Sequence, residues 1–176
     1  MAQLDEVMAP GYLEGLREWS IERVRARRDE ATEAETGLSY LRRIVQGRLD
    51  ITLAEQQRRQ SGQGGGDVGD LVERLPVILG DRVHAPGLGR LPALMGPGEL
   101  HPLFTARLEV VLPASRLDNL EQLDDTALAN ASADLEELER SISTQRRAIF
   151  DVLDRLQEEL VRRYRTGEAT VDSLLP

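Results

Sequence analysis

Apolar residues recur along two stretches of this chain in alternating steps of three and four. Ala31, Ala34, Leu38, Leu41 and Val45 carry the spacing in the first stretch. Leu135, Leu138, Ile142, Gln145, Ile149, Val152 and Leu156 carry it in the second, with one glutamine in the line. This is the period of a coiled-coil seam, in which each apolar side chain returns to the same face of a helix after every second turn. The pattern predicts a first helical arm over 12–59, broken near Trp19-Ser20, where the Ser20 hydroxyl caps the longer piece. It predicts a second arm over 113–166, with Gly167 as a stop just after Tyr164. Residues 1–11 and 167–176 are left as tails.

The connection over 60–112 has a different character. SGQGGGDVGD, residues 61–70, has almost nothing apolar to bury, and its glycines raise the entropy cost of ordering it, so a flexible linker is expected. Prolines at 76, 86, 92, 97, 102 and 113 then restrict the chain to short helices or turns, with Leu71–Leu79 and Phe104–Leu112 as the candidates. The expected fold is all-α: an elongated antiparallel two-helix coiled-coil hairpin with short accessory helices and a long Gly/Pro-rich connection. The same connection also permits each arm to pair with a second chain.

Composition narrows the function. Aromatic residues make up 3% of the 176, too few for the thick interior of an enzyme-sized globule but enough for helix against helix. A net charge of -9 excludes general DNA binding, which gains its affinity by neutralising phosphates with a basic surface. An anionic ligand would have to meet a local basic cluster, and every one of the 22 basic residues is arginine, whose planar fork lysine lacks. Without cysteine there is no thiolate or disulfide chemistry. An acidic amino terminus and the absence of any run of about 20 apolar residues lead to the expectation of a cytoplasmic protein without membrane contact.

Beside the first seam lies a polar stripe. Glu35, Ser39, Arg42, Gln46 and Asp50 each directly follow a small or apolar residue. On a helix they fall within an arc of roughly 80° and run about 22 Å along its axis. A shift of 104 residues gives Glu139, Ser143, Arg146, Phe150 and Asp154, matching four of the five types. Arg43 and Arg147 follow the central arginines in both copies. If the stripe centres coincide in an antiparallel pair, Glu35 faces Asp154, Asp50 faces Glu139, and Arg42, Arg43, Arg146 and Arg147 meet in the middle. Neighbouring guanidiniums there would repel by roughly 2–4 kcal/mol per pair, which calls for an anion or a bridging acceptor. Guanine offers O6 and N7 to arginine and its N1 and N2 hydrogens to a carboxylate, so a stripe of this composition suits a ligand with several guanines and phosphates.

The first stripe, ETGLSYLRRIVQGRLD, has the form E-x3-S-x2-R-x3-Q-x3-D and resembles the signature of the RsiG family of cyclic di-GMP-dependent anti-sigma factors. The resemblance implies a coiled-coil hairpin that binds an intercalated pair of cyclic di-GMP molecules and holds a WhiG-type, flagellar-class sigma factor inactive. It makes Glu35, Ser39, Arg42, Gln46 and Asp50 ligand contacts, with Glu139, Ser143, Arg146 and Asp154 as counterparts on the other arm. Phe150 departs from the pattern, since a phenyl ring cannot replace the hydrogen bonds of an amide. Leu13, Leu16, Ile21, Val24, Leu160 and Tyr164 are the apolar residues left over for a helical partner.

Other chemistry is weakly represented. GQGGGDVGD lacks the Gly-Lys-Ser/Thr ending of a phosphate loop, and GLGRLP lacks the third glycine of a dinucleotide fingerprint. His84 and His101 stand alone among prolines, so neither a metal site nor a catalytic triad is expected, and a hydrolase of cyclic dinucleotides is disfavoured. Trp19 reads as local packing ahead of a partner anchor. The rival to the ligand-binding reading is a scaffolding coiled coil whose stripes are salt-bridged faces. A ligand site requires both stripes on the same side of the hairpin, and a scaffold does not.

Overall fold

The computed structural model describes residues 2–61, 106 and 108–168. The linker after Ser61, the predicted helix over 71–79, both histidines and the last eight residues lie outside them. Helix α1 (Ala2–Val7) and a 3-10 turn (Leu16–Glu18) lead into the long helix α2 (Ile21–Gln60). A short helix α3 (Ala114–Leu117) and a second 3-10 turn (Leu120–Gln122) lead into the long helix α4 (Asp125–Thr166). No strand occurs among the described residues. Contacts of Arg163 with Trp19 and of Arg59 with Leu123, at opposite ends of the pair, show that α2 and α4 run antiparallel.

Local chemistry sets the helix ends. Ser20 is extended, and its hydroxyl accepts from the amide of Arg23 at 3.2 Å. Asp124 does the same for the amide of Ala127 at 2.7 Å. Each cap satisfies an amide that has no partner within the helix and contributes about 1 kcal/mol. Gly167 ends α4 with φ 75°, a left-handed backbone that costs glycine nothing. The second arm therefore begins as a continuous helix at Asp125 rather than at 113, because Asp124 supplies the cap and Pro113 only opens the short helix before it.

The core is the predicted seam. Ala31, Ala34, Leu38, Leu41 and Val45 of α2 are buried against Leu135, Leu138, Ile142, Ile149 and Leu156 of α4 in one cluster. Each leucine or isoleucine fully removed from water there contributes roughly 1.5–3 kcal/mol. Gln145 interrupts the apolar line, and its Oε1 is buried with no hydrogen-bond partner. Val152 is only partly buried. Leu4 and Val7 of α1 also join the core, as do Leu108 and Leu112 just before α3, where Arg48 donates to the carbonyl of Leu112 and pairs with Glu109 at 2.7 Å.

Two arginine clamps, one buried and one partly buried, close the ends of the hairpin. Arg163 donates to Trp19 O at 2.6 Å and Leu16 O at 3.0 Å, and its Nε is held by Glu159 at 2.7 Å. At the opposite end Arg59 donates to Leu123 O at 2.7 Å and Leu120 O at 2.9 Å, with its Nε on Glu55 at 2.7 Å. Each arginine thus satisfies carbonyls of the 3-10 turn that precedes the other arm's helix. The two clamps are separated by the same 104 residues as the stripes, so the internal repeat extends from the 3-10 turns to the ends of both long helices.

Candidate functional site

Cross-arm bonds place both stripes on one side of the hairpin. Arg42 Nε donates to Glu139 Oε1 at 2.7 Å and to Ser143 Oγ at 3.0 Å. Gln46 Nε2 reaches the same Glu139 oxygen at 3.3 Å, and Ser143 Oγ donates to it at 3.1 Å. The second cluster is its counterpart. Arg146 Nη2 and Nε donate to Glu35 Oε1 at 2.8 and 3.3 Å, and Ser39 Oγ donates to that oxygen at 2.6 Å. Each arm therefore contributes a carboxylate and a serine to one cluster and an arginine to the other.

The cross-arm bonds differ from those that coincident stripe centres would give. Arg42 meets Glu139, eight residues before the Arg147 that coincident stripe centres place opposite it, and Arg146 meets Glu35, eight residues before Arg43. The anticipated crowd of four arginines is replaced by two cross-arm ion pairs. Neither anticipated carboxylate pairing accounts for the observed bonds of Glu35 and Glu139. Opposite charges favour this pairing: a carboxylate beside each guanidinium exchanges arginine repulsion for attraction. The acceptors that the arginines require come from the protein.

The pairs are intermediate in exposure, at 34% for Arg42 with 20% for Glu139, and 21% for Arg146 with 15% for Glu35. They are sheltered enough to hold a geometry and open enough to exchange partners. The ends of the stripes are less alike. Asp50 is buried in α2, whereas Asp154 is exposed on α4. Arg43 and Arg147 are exposed as well. The clusters also differ at the fourth position. Gln46 donates an amide hydrogen in one, while in the other the Phe150 ring lies 5.4 Å from the Arg146 guanidinium carbon and interacts through its π face.

The partner surface read from the sequence is altered. Val24 and Leu160 belong to the buried core, and Leu13, Leu16, Ile21 and Tyr164 pack against it. The 3-10 turn and the Arg163 clamp fold the start of the chain onto the end of α4, which uses this apolar surface within the molecule. Trp19 is buried, with the Arg23 guanidinium 4.6 Å from its ring centre, in agreement with local packing. The clamps were missed as functional-looking residues, although Glu55, Arg58 and Arg59 map onto Glu159, Arg162 and Arg163 under the stripe's own shift. Among the described residues there is no cluster suited to a metal ion, and no helix is long and apolar enough to cross a membrane.

A family model described as RsiG-like matches residues 10–79, a stretch that contains the first 3-10 turn, all of α2 and the whole first stripe. That stretch is similar to the RsiG-like family, and the second arm lies beyond it. The match supports an anti-sigma factor role and, with it, a sigma factor as partner in general. No curated protein matches the chain.

Proposed function

With the RsiG-like match as premise, we propose that this protein is an anti-sigma factor that binds cyclic di-GMP on its paired stripes and sequesters a WhiG-type, flagellar-class sigma factor. The observation that carries this reading is the meeting of two chemically matched clusters, each with an arginine, a carboxylate and a serine, on one side of an antiparallel pair. Arg42 and Arg146 would take guanine O6 and N7 or phosphate oxygens, since a guanidinium fork fits either. Ser39 and Ser143 can donate to phosphate. Gln46, Asp50 and Asp154 would serve base edges, as would Glu35 and Glu139 once the arginines leave them, and Phe150 offers a stacking face where Gln46 offers an amide. Two half-sites related by a repeat fit a ligand that is itself a pair of like molecules.

The test is calorimetric titration of the full chain with cyclic di-GMP, with cyclic di-AMP as control, followed by sigma-factor affinity with and without saturating ligand. Binding that discriminates guanine from adenine, lost in the folded Arg42→Ala variant, is expected. Linkage requires ligand and sigma factor to tighten each other by the same factor, with couplings typically of about 1–3 kcal/mol. Equal sigma-factor affinities in both conditions would remove the switch. One observation favours a scaffold instead, namely that the protein's own carboxylates already satisfy Arg42 and Arg146. A scaffold binds neither nucleotide, and Arg42→Ala then changes only stability.

A further inference from the structure

The residues offered to a ligand are already engaged. A guanine or phosphate that takes the Arg42 guanidinium competes with Glu139, whose Oε1 receives Arg42, Gln46 and Ser143 together. A ligand that takes Arg146 competes with Glu35, whose Oε1 receives Arg146 and Ser39. Both bonds cross from one long helix to the other, so they also draw the arms together along the side where the ligand would lie. An anion approaching that side meets a carboxylate beside each guanidinium, and the two negative charges repel at close range.

We propose that Glu35 and Glu139 form a pair of latches, each closing one half-site by holding the other arm's arginine until the ligand exchanges with it. This rests on the ligand-binding reading above and adds a kinetic role that the reading does not require. Ligand entry then includes a step in which Arg42 leaves Glu139 and Arg146 leaves Glu35, and that opening limits association once ligand is abundant. The latches are unlike. The Glu139 latch gathers an additional donor from Gln46, and the Arg146 arm of the other lies against the Phe150 ring. The two half-sites therefore open at different rates, and association proceeds in two phases.

Stopped-flow association of a fluorescent cyclic di-GMP analogue with the full chain tests the latches, using wild type, Glu139→Gln, Glu35→Gln and the double variant. Glutamine keeps the shape and the bond with serine but removes the charge that holds the arginine. Wild type is expected to give two observed rates, each of which levels off with ligand concentration. Each single variant should raise the plateau of its own phase about fivefold, the factor that corresponds to losing a partly exposed ion pair, and leave the other unchanged. Exposed Glu137 is two residues from Glu139, so Glu137→Gln makes the same charge change without touching a latch and measures electrostatic steering alone. Rates in the latch variants that equal the Glu137→Gln rate, or fall below it, overturn the latch even if wild type binds tightly. Absence of binding by wild type, measured by calorimetry, overturns the ligand reading and the latch together.

Discussion

Replacing Arg163 by methionine separates what holds the hairpin closed from what the stripes do. The guanidinium and its partner Glu159 each have 6% of their side-chain surface exposed. The substitution keeps the apolar stem and removes the donors to Trp19 O, Leu16 O and Glu159. Glu159 is not orphaned, because Arg162 holds both of its oxygens at 2.8 and 2.9 Å. The loss is therefore mainly two charged hydrogen bonds, one to the buried Trp19 O and one to the partly buried Leu16 O, at about 1.5 kcal/mol each, or roughly 3 kcal/mol in all. This is less than the penalty for stranding a buried charge. In a chain of this length it lowers Tm by about 6–12 °C, read by circular dichroism during heating. Arg42→Ala, at the more exposed stripe pair, should cost no more than about 1 kcal/mol in the same assay. If Arg163→Met shifts Tm no more than Arg42→Ala does, the clamp does not secure the fold and the division between closing and binding residues fails.

Arg59→Met removes the equivalent bonds at the other end, but Arg59 is 20% exposed and its partner Asp125 is nearly bare, so a smaller loss of about 1–2 kcal/mol is expected by denaturant titration. A loss equal to that of Arg163→Met would show that burial does not set the difference. Gln145→Leu should stabilise the pair by about 1–2 kcal/mol, because it deletes a buried acceptor without a partner and restores the apolar type that Leu41 has under the repeat. A lower denaturation midpoint would mean that the amide is satisfied or that leucine overpacks the seam. The bonds from Arg162, reinforced by those from Arg163, hold the Glu159 carboxyl down to about 2 from its ordinary 4.5. A lowered folded-state value stabilises fully above 4.5, and the contribution is lost as pH falls from 4.5 toward 2. Tm should fall more steeply through that window in wild type than in Glu159→Gln, and parallel curves would refute the assignment.

Much of the fold is legible because helix signals are local. The three-four spacing identified both seams, and the described long helices carry them. Ser20 and Gly167 acted as the punctuation their chemistry allows, while the cap at Asp124 shortened the second arm. The repeat of Glu, Ser and Arg identified the two clusters that meet across the arms. The roles within them were less legible. Nothing in a stripe says whether a carboxylate faces a ligand, solvent or the arginine of another helix, and Asp50 and Asp154 differ in burial despite equivalent positions. Leu160 and Val24 looked available for a partner because the sequence does not reveal that the 3-10 turn folds back over the end of α4.

What the sequence determined by itself is the existence of two seamed helices, their ends and the polar stripe beside each seam, since all of these follow from residues within a few turns of one another. Register was decided only by the tertiary structure. A seam that repeats every seven residues packs nearly as well after a slide of two turns, so hydrophobic periodicity leaves neighbouring registers close in energy. Longer-range bonds break that degeneracy. Arg59 and Arg163 clamp the carbonyls at the two ends, and Glu35 and Glu139 take the arginines of the facing arm, so that charges and hydrogen bonds far apart in sequence select one alignment among those the apolar seam permits.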